Sequence, residues 1–275
     1  LNQIEEMPVH KLSAATIFGG EIWLLPWRIL KILFAFVQAV HLVLRLKPSI
    51  VVGFGGYPSF APALAAQMLG RQVLIHEQNA VLGRANRVLC RLGANLATTF
   101  GGTRGLSQST QARTRKVGNP VRNDVLTAAR GGYRYLNASR PFELLIFGGS
   151  QGAGVFADTV PAAIGGLPAD LKARLRVVHQ VRRADMAQTL AAYGEIGVYA
   201  EIRDFFDDLP SRMRRAHLVI CRGGASTVCE LSLLGAPAII VPLPGSLDQD
   251  QAYNVCELNE KGGAWMVNQS EFTTE

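Results

Sequence analysis

At 275 residues the chain is long enough for two domains, each with its own core. Hydrophobic residues make up 48% and charged residues 18%, which excludes a disordered chain and suits a globular one. The net charge of +7 implies an anionic partner: a diphosphate substrate and an anionic membrane surface both fit. The basic or aromatic-rich modules of nucleic-acid binding are absent, so no nucleic acid is expected.

Ahead of the first strand, Arg28 to Arg45 reads as a helix with an unusually wide apolar face. Arg28, Lys31, Gln38, His41 and Arg45 form one polar stripe, and Trp27, Phe34, Phe36 and their neighbours fill the rest. The run is too short and too charged to span a bilayer, which takes about 20 apolar residues. Peripheral docking on an anionic membrane suits it, with Trp27, Arg28, Lys31, Phe34 and Arg45 facing the membrane. The alternative is a helix buried between domains or against a further segment.

From there strands and helices alternate. Strands are predicted at 49–54, 72–76 and 95–99, with helices at 61–69 and 85–92. A polar, basic stretch and a short helix ending at Ala129 follow, and the polar run Gly131 to Arg140 reads as a linker. Beyond it, strands at 142–147, 175–180, 198–202, 217–221, 238–242 and 264–267 enclose helices at 153–164, 184–193, 208–215, 226–234 and 249–261. Short apolar strands without alternation indicate parallel sheets covered on both faces, hence an α/β fold of two Rossmann-like domains facing a cleft. The expected domains are 1–135 and 141–275. Cys90, Cys221, Cys229 and Cys256 form no Cys-x-x-Cys pair and read as small buried hydrophobes of a reducing compartment. The five scattered histidines lack the spacing of a zinc site, so no metal and no cofactor are expected. The chain opens on Leu1 without a methionine start and stops at Glu275 without a terminal helix, so both ends read as cut.

The chemistry concentrates in Cys221-Arg-Gly-Gly-Ala-Ser-Thr-Val-Cys-Glu230. A strand, a glycine turn and a helix starting at Ser226 would present free backbone N–H groups and a positive dipole end to an anion. Glu230 lies one helical turn beyond Ser226 and projects from the same face. Diphosphate at the helix start and a carboxylate on a ribose or sugar hydroxyl describe a nucleotide-sugar site. Phe147-Gly-Gly-Ser-Gln-Gly152 is a second such turn. One glycine turn is weak support, because any tight strand-to-helix turn needs glycine; two in one domain are stronger.

Val52-Gly-Phe-Gly-Gly-Tyr57, His76-Glu-Gln-Asn79, Gly118-Asn-Pro-Val-Arg122, Phe147-Gly-Gly-Ser-Gln-Gly-Ala153 and Gly224-Ala-Ser-Thr-Val-Cys-Glu230 occur in one order across nearly the whole chain. In these motifs the chain resembles the bacterial peptidoglycan N-acetylglucosaminyltransferases. The resemblance implies a GT-B fold and transfer of N-acetylglucosamine from UDP-N-acetylglucosamine to the C4 hydroxyl of lipid I. Lipid II and UDP would form at the cytoplasmic face of the bacterial inner membrane, with the enzyme bound peripherally. It implies donor contacts from Asn79, Arg122, Ser150, Ala225, Ser226, Thr227, Val228, Cys229, Glu230 and Gln251, and a backbone contact to uracil at Phe206. The domain ending at 135 would face acceptor and membrane, and the domain from 141 would bind the UDP-sugar.

Three departures accompany the resemblance. The family's first βα unit, with its glycine-rich loop and the histidine proposed as base, has no counterpart here, and neither does the terminal helix; the catalytic residue is therefore unassigned. Gly223-Gly224 replaces the usual Ser-Gly, removing a hydroxyl near the phosphates. Asp250 stands where many members carry His or Gln. Asp248-x-Asp250 has the spacing of a metal pair in the other glycosyltransferase fold, but aspartate at a helix start reads as a cap. The alternatives are another GT-B glycolipid transferase, a UDP-N-acetylglucosamine 2-epimerase, or a non-catalytic UDP-sugar-binding fragment.

Overall fold

The computed structural model describes residues 8–13, 25–132, 140–149 and 152–274, without the side chains of residues 25, 26, 28, 29 and 247. It divides into two compact units. One comprises Leu1–Gln78 with Leu82–Gly118; the other comprises Asn79–Val81 with Asn119–Glu275.

In the first unit, α1 (Leu25–Leu46) precedes β1 (Ile50–Gly53), α2 (Tyr57–Met68), β2 (Gln72–Glu77), α3 (Arg84–Arg91), β3 (Asn95–Thr98), α4 (Gln108–Gln111) and β4 (Thr114–Lys116). The four strands pair in the order β1-β2-β3-β4, all parallel. α2 starts four residues earlier than predicted, because Pro58 in its first turn needs no N–H partner there. Its alanines Ala63 and Ala66 pack with Val73, Ile75, Leu89, Cys90 and Leu96.

α1 packs on α2 through a narrow stripe of small residues, Ala35, Ala39 and Val43, at successive helical turns. The bulky apolar side chains turn the other way: Trp27, Leu30, Leu33, Phe34 (56% exposed), Val37 and Leu44 are all exposed. Lys31 Nζ sits 5.8 Å from the Trp27 ring centroid. Arg45 is exposed, Phe36 is half-buried, and the side chain of Arg28 lies outside the described residues. Among the described residues no helix is long and apolar enough to cross a membrane.

In the second unit, α5 (Asn123–Ala129) leads to β5 (Phe142–Phe147), α6 (Gly154–Gly165), α7 (Ala169–Arg174), β6 (Leu175–Gln180), α8 (Met186–Glu195), β7 (Tyr199–Arg203), α9 (Leu209–Arg215), β8 (Leu218–Cys221), α10 (Ala225–Leu234), β9 (Ala238–Ile240), α11 (Asp250–Glu260) and β10 (Ala264–Met266). Six parallel strands lie in the order β10-β9-β8-β5-β6-β7. Counted from β5, this is the doubly wound Rossmann order, so the expected parallel α/β organisation holds in both units. Leu144, Ile146, Phe156, Val160, Val177, Tyr193 and Ile220 form the centre of the core.

The boundary differs from the predicted 135/141. α5 packs against α9 and α10, and Arg214 Nη2 donates to Gly131 O at 2.8 Å. Residues from Asn119 onward therefore belong to the second unit. The cysteines also differ in part: Cys90 and Cys221 are buried, whereas Cys229 and Cys256 are only half-buried, and all four are unpaired.

Candidate functional site

The strand order reverses between β5 and β8, which are neighbours, and ligands of open α/β sheets bind beyond the strand C-termini at such a point. Phe147 and Cys221, the last residues of these strands, stand in register. Both glycine turns therefore leave the sheet side by side. The first turn requires its glycine: a Cβ on Gly148 would lie 2.3 Å from Ala153 N. Ser150, predicted to hold phosphate oxygens, lies outside the described residues.

At the second turn the cap position of α10 is Gly224, in extended conformation, which has no side chain to bond the helix start. The first intrahelical bond is donated by Val228 N–H to Gly224 O at 3.0 Å. The N–H groups of Ala225, Ser226 and Thr227 thus carry no intrahelical partner and mark the positive dipole end. The Ser226 side chain is exposed, and those of Thr227 and Cys229 are half-buried. Ala225 and Val228 bury theirs in the core, leaving only their backbone for a ligand.

Glu230 lies one turn further on, as predicted from its spacing, and lines a pocket of about 280 Å³ with Asn119, Pro120, Val121, Arg122 and Ser226. Arg122 Nη2 donates to Glu230 Oε1 at 3.3 Å, and Arg122 Nε is 3.8 Å from Asp124 Oδ1. The Glu230 side chain is 13% exposed and that of Arg122 58%. Burial pushes the Glu230 carboxyl above its ordinary range, and the charge of Arg122 partly offsets this.

Gln251, expected from the resemblance to contact the donor, lies against the second glycine turn. Its Oε1 accepts from Gly223 N–H at 3.2 Å and from Leu243 N–H at 3.0 Å, which directs its amide N–H groups away from those two donors. Asn254, three residues on and on the same face of α11, is 0% exposed. It accepts from Ala80 N–H at 2.7 Å and donates to Gly223 O and to Asn79 Oδ1, each at 3.1 Å. Asn79 is therefore brought to the second glycine turn through Asn254. Sequence reasoning passed over Asn254; its i, i+3 relation to Gln251 was the available signal. Gly223 also gains a packing reason, since a Cβ there would lie 2.7 Å from Gln251 O and 2.9 Å from Val255 Cγ2.

The expectation that aspartate caps this last helix is corrected. Asp248 and Gln249 both take left-handed backbone conformations, and Gln249 occupies the cap position with no cap bond from its side chain. Asp250 opens α11, with Oδ1 buried and lacking a hydrogen-bond partner. Among the described residues no group of three or more His, Cys, Asp or Glu side chains could hold a metal ion.

Phe206 follows the edge strand β7 and does not line the pocket of Arg122, Ser226 and Glu230. Its side chain is buried, with the Arg212 guanidinium 4.4 Å from the ring centroid, so only backbone is offered outward there. Arg212 binds both oxygens of Glu201 at 2.6 and 3.1 Å and Asp208 at 2.7 Å. Those hydrogen bonds hold the Glu201 and Asp208 carboxyls below the usual carboxylate range. In the first unit, His76 Nε2 bonds Gly118 O at 2.8 Å and Gln78 Nε2 meets His76 Nδ1 at 3.2 Å. Glu77 Oε2 accepts from Gly83 N–H at 2.9 Å and Asn86 Nδ2 at 2.8 Å. Most of the His-Glu-Gln-Asn motif is thus a structural bracket joined to the Gly118 turn.

Residues 2–98 match the glycosyltransferase family 28 N-terminal domain and residues 143–275 the family 28 C-terminal domain. A relative in Methylobacterium sp. is 52% identical over 241 residues, covering 87% of this chain and 65% of that protein. One in Rhodospirillum centenum is 43% identical over 272 residues, covering 99% of this chain and 72% of that protein. Both carry the name UDP-N-acetylglucosamine–N-acetylmuramyl-(pentapeptide) pyrophosphoryl-undecaprenol N-acetylglucosamine transferase. The chain therefore spans about 65% of the length of the Methylobacterium relative. The crystal structure of Acinetobacter baumannii MurG superposes with a TM-score of 0.75 at 31% identity, covering 99% of this chain and 74% of that one. The UDP-N-acetylglucosamine 2-epimerase from Methanocaldococcus jannaschii superposes with a TM-score of 0.55 at 13% identity, covering 93% of this chain and 75% of that one, a likeness of fold alone. On identity, coverage and shared architecture, this chain belongs to the MurG family within glycosyltransferase family 28.

Proposed function

We propose that the chain carries the UDP-N-acetylglucosamine site of a lipid I N-acetylglucosaminyltransferase acting in peptidoglycan synthesis. The acceptor's C4 hydroxyl oxygen forms a bond to the donor's anomeric carbon while the bond from that carbon to the diphosphate breaks. UDP leaves with the bonding pair, the hydroxyl proton is lost to a base, and lipid II results. The supporting observation is the uncapped start of α10 at the sheet's switch point, with Arg122 and Glu230 beside it.

In this reading the N–H groups of Ala225 to Thr227 and the Arg122 guanidinium balance charge on the departing diphosphate. Glu230 accepts from ribose hydroxyls. The Gln251 amide N–H groups and Asn79 serve the sugar, and the backbone at Phe206 meets uracil. Ser150 adds a hydroxyl at the first turn. Donor chemistry thus falls to the second unit, and acceptor and membrane contact to the first. The exposed apolar face of α1, with Lys31 and Arg45, supports peripheral binding to anionic lipid at the cytoplasmic face of the inner membrane.

The test is turnover of labelled UDP-N-acetylglucosamine with lipid I, beside UDP-N-acetylglucosamine binding without acceptor. Lipid II formation supports the reading. Donor binding without turnover identifies a binding fragment, and transfer to a diacylglycerol acceptor or 2-epimerisation overturns the assignment.

A further inference from the structure

Gly223 is the residue from which the second glycine turn hangs: Gly224 and the open N–H groups of α10 follow it directly. Both polar groups of its backbone are held by side chains of α11. Its N–H donates to Gln251 Oε1 at 3.2 Å, and its C=O accepts from Asn254 Nδ2 at 3.1 Å. Residues three apart on a helix share a face, so one turn of α11 grips both polar groups of one residue. The grip is close, since a Cβ on Gly223 would lie 2.7 Å from Gln251 O.

Asn254 does more than hold Gly223. Its Oδ1 accepts from Ala80 N–H at 2.7 Å, and Nδ2 also donates to Asn79 Oδ1 at 3.1 Å. A side-chain amide has two N–H donors and one oxygen, and all are engaged. The orientation is unambiguous: a backbone N–H can only donate and a backbone C=O can only accept, so Oδ1 faces Ala80 and Nδ2 faces Gly223. At 0% exposure water cannot replace a lost partner.

We propose that Asn254 is a positioning residue of the donor site, fixing the Asn79 segment and the Gly223 turn against one another without touching the nucleotide sugar. The proposal rests on the donor-site reading above. An aspartate at 254 keeps the acceptor for Ala80 but sets oxygen against Gly223 O and removes both donors. The turn and Asn79 then lose their common tether, while the rest of the α11 face is unchanged.

The experiment is calorimetric titration of the full chain with UDP, for wild type and Asn254→Asp, with near-ultraviolet circular dichroism as the check of fold. The expected result is a native spectrum and roughly tenfold weaker UDP binding in Asn254→Asp. Asn254→Asp combined with Asn79→Ala should bind little worse than the weaker single variant, because both act through one tether. A folded Asn254→Asp that binds UDP within twofold of wild type, or full additivity with Asn79→Ala, overturns the proposal. Wild-type chain that binds no UDP overturns the donor-site reading itself, a separable outcome. Hydrogen exchange on the wild type needs no variant: UDP should slow exchange at Ala80 and at Ala225 to Thr227 together, and protection at the helix start with none at Ala80 refutes the coupling.

Discussion

His179 makes the second unit sensitive to acid. Its ring lies at 0% exposure in the core, Nδ1 bonds the Tyr193 hydroxyl at 3.1 Å, and Nε2 is buried without a partner. Burial disfavours the imidazolium and lowers the pKa from 6.5 to about 4. The unfolded chain therefore binds a proton near pH 6.5 that the folded chain refuses until about pH 4. Between those values the unfolded state holds more protons, so stability rises with pH and falls on acidification. At about 1.4 kcal/mol per unit, the interval is worth roughly 3 kcal/mol. Urea denaturation of wild type and His179→Gln at a series of pH values between 7.5 and 4 measures it. Glutamine retains a hydrogen-bonding group for Tyr193 but does not titrate. Carboxylates such as Glu201 and Asp208, whose lowered pKa values stabilise the fold until the pH falls below their unfolded values, act equally in both proteins. The difference between the two curves should change by roughly 3 kcal/mol across the window. Parallel curves would refute the reasoning, because they would mean that His179 is charged or hydrated in the folded chain.

Glu230→Ala should weaken UDP-N-acetylglucosamine binding by about 1.5–3 kcal/mol, and an unchanged dissociation constant by titration removes Glu230 from the site. Gly223→Ala should destabilise the second unit by about 1–3 kcal/mol and weaken UDP binding, since the new methyl meets backbone 2.7 Å away; a melting temperature equal to wild type contradicts the packing argument. Where the proposed transfer is observed it should persist in chelator, and its complete loss with recovery on manganese would assign Asp248 and Asp250 to a metal. Charge reversal at Arg28 and Lys31 should lower binding to anionic vesicles by roughly 1 kcal/mol per residue, in a salt-sensitive way. Leu33→Ser with Phe34→Ser should remove a salt-insensitive part, and flotation with vesicles of graded anionic content reads both. No association at any composition would mean that the α1 face meets protein.

Features governed by local pattern were legible in the sequence. The runs Phe142–Phe147 and Leu218–Cys221, followed by Gly148 and by Arg222-Gly223, announce buried strands followed by tight turns, and the structure sets these two strands together. The one-turn spacing from Ser226 to Glu230 places both on the pocket lining. What escaped depends on residues remote in sequence. β4, Thr-Arg-Lys, carries no apolar signal and exists because a polar edge strand can pair with β3. α7 buries none of its residues, so no periodicity marks it. The wide apolar face of α1 was visible, but not that its alanines, rather than its leucines, face the core. Gly223 looked like a lost hydroxyl until α11 was seen lying against it. Asn254 has no local reason to be buried; only its three partners supply one.

On the proposed reading, the pairing of Arg122 with Glu230 suits a site that must bind a charged donor and release a charged product. Burial pushes the Glu230 carboxyl above its ordinary range, and the guanidinium at 3.3 Å offsets part of that rise. Arg122 is itself more than half exposed, so the pair behaves as a partly solvated one, worth about 0–1 kcal/mol. Such a pair is easily exchanged. On the proposed reading, an arriving diphosphate offers Arg122 more negative charge than one carboxylate does, while ribose hydroxyls offer Glu230 neutral donors in place of the cation. Binding then swaps partners rather than stripping water from two isolated charges. The helix start supplies a fixed positive potential that does not depend on the swap, because its N–H groups belong to the backbone. Affinity for the diphosphate thus has one rigid component at α10 and one exchangeable component at Arg122. Removing Glu230 frees Arg122 and sacrifices the ribose contact together, so the loss on Glu230→Ala should shrink when the ligand is pyrophosphate, which has no ribose to lose.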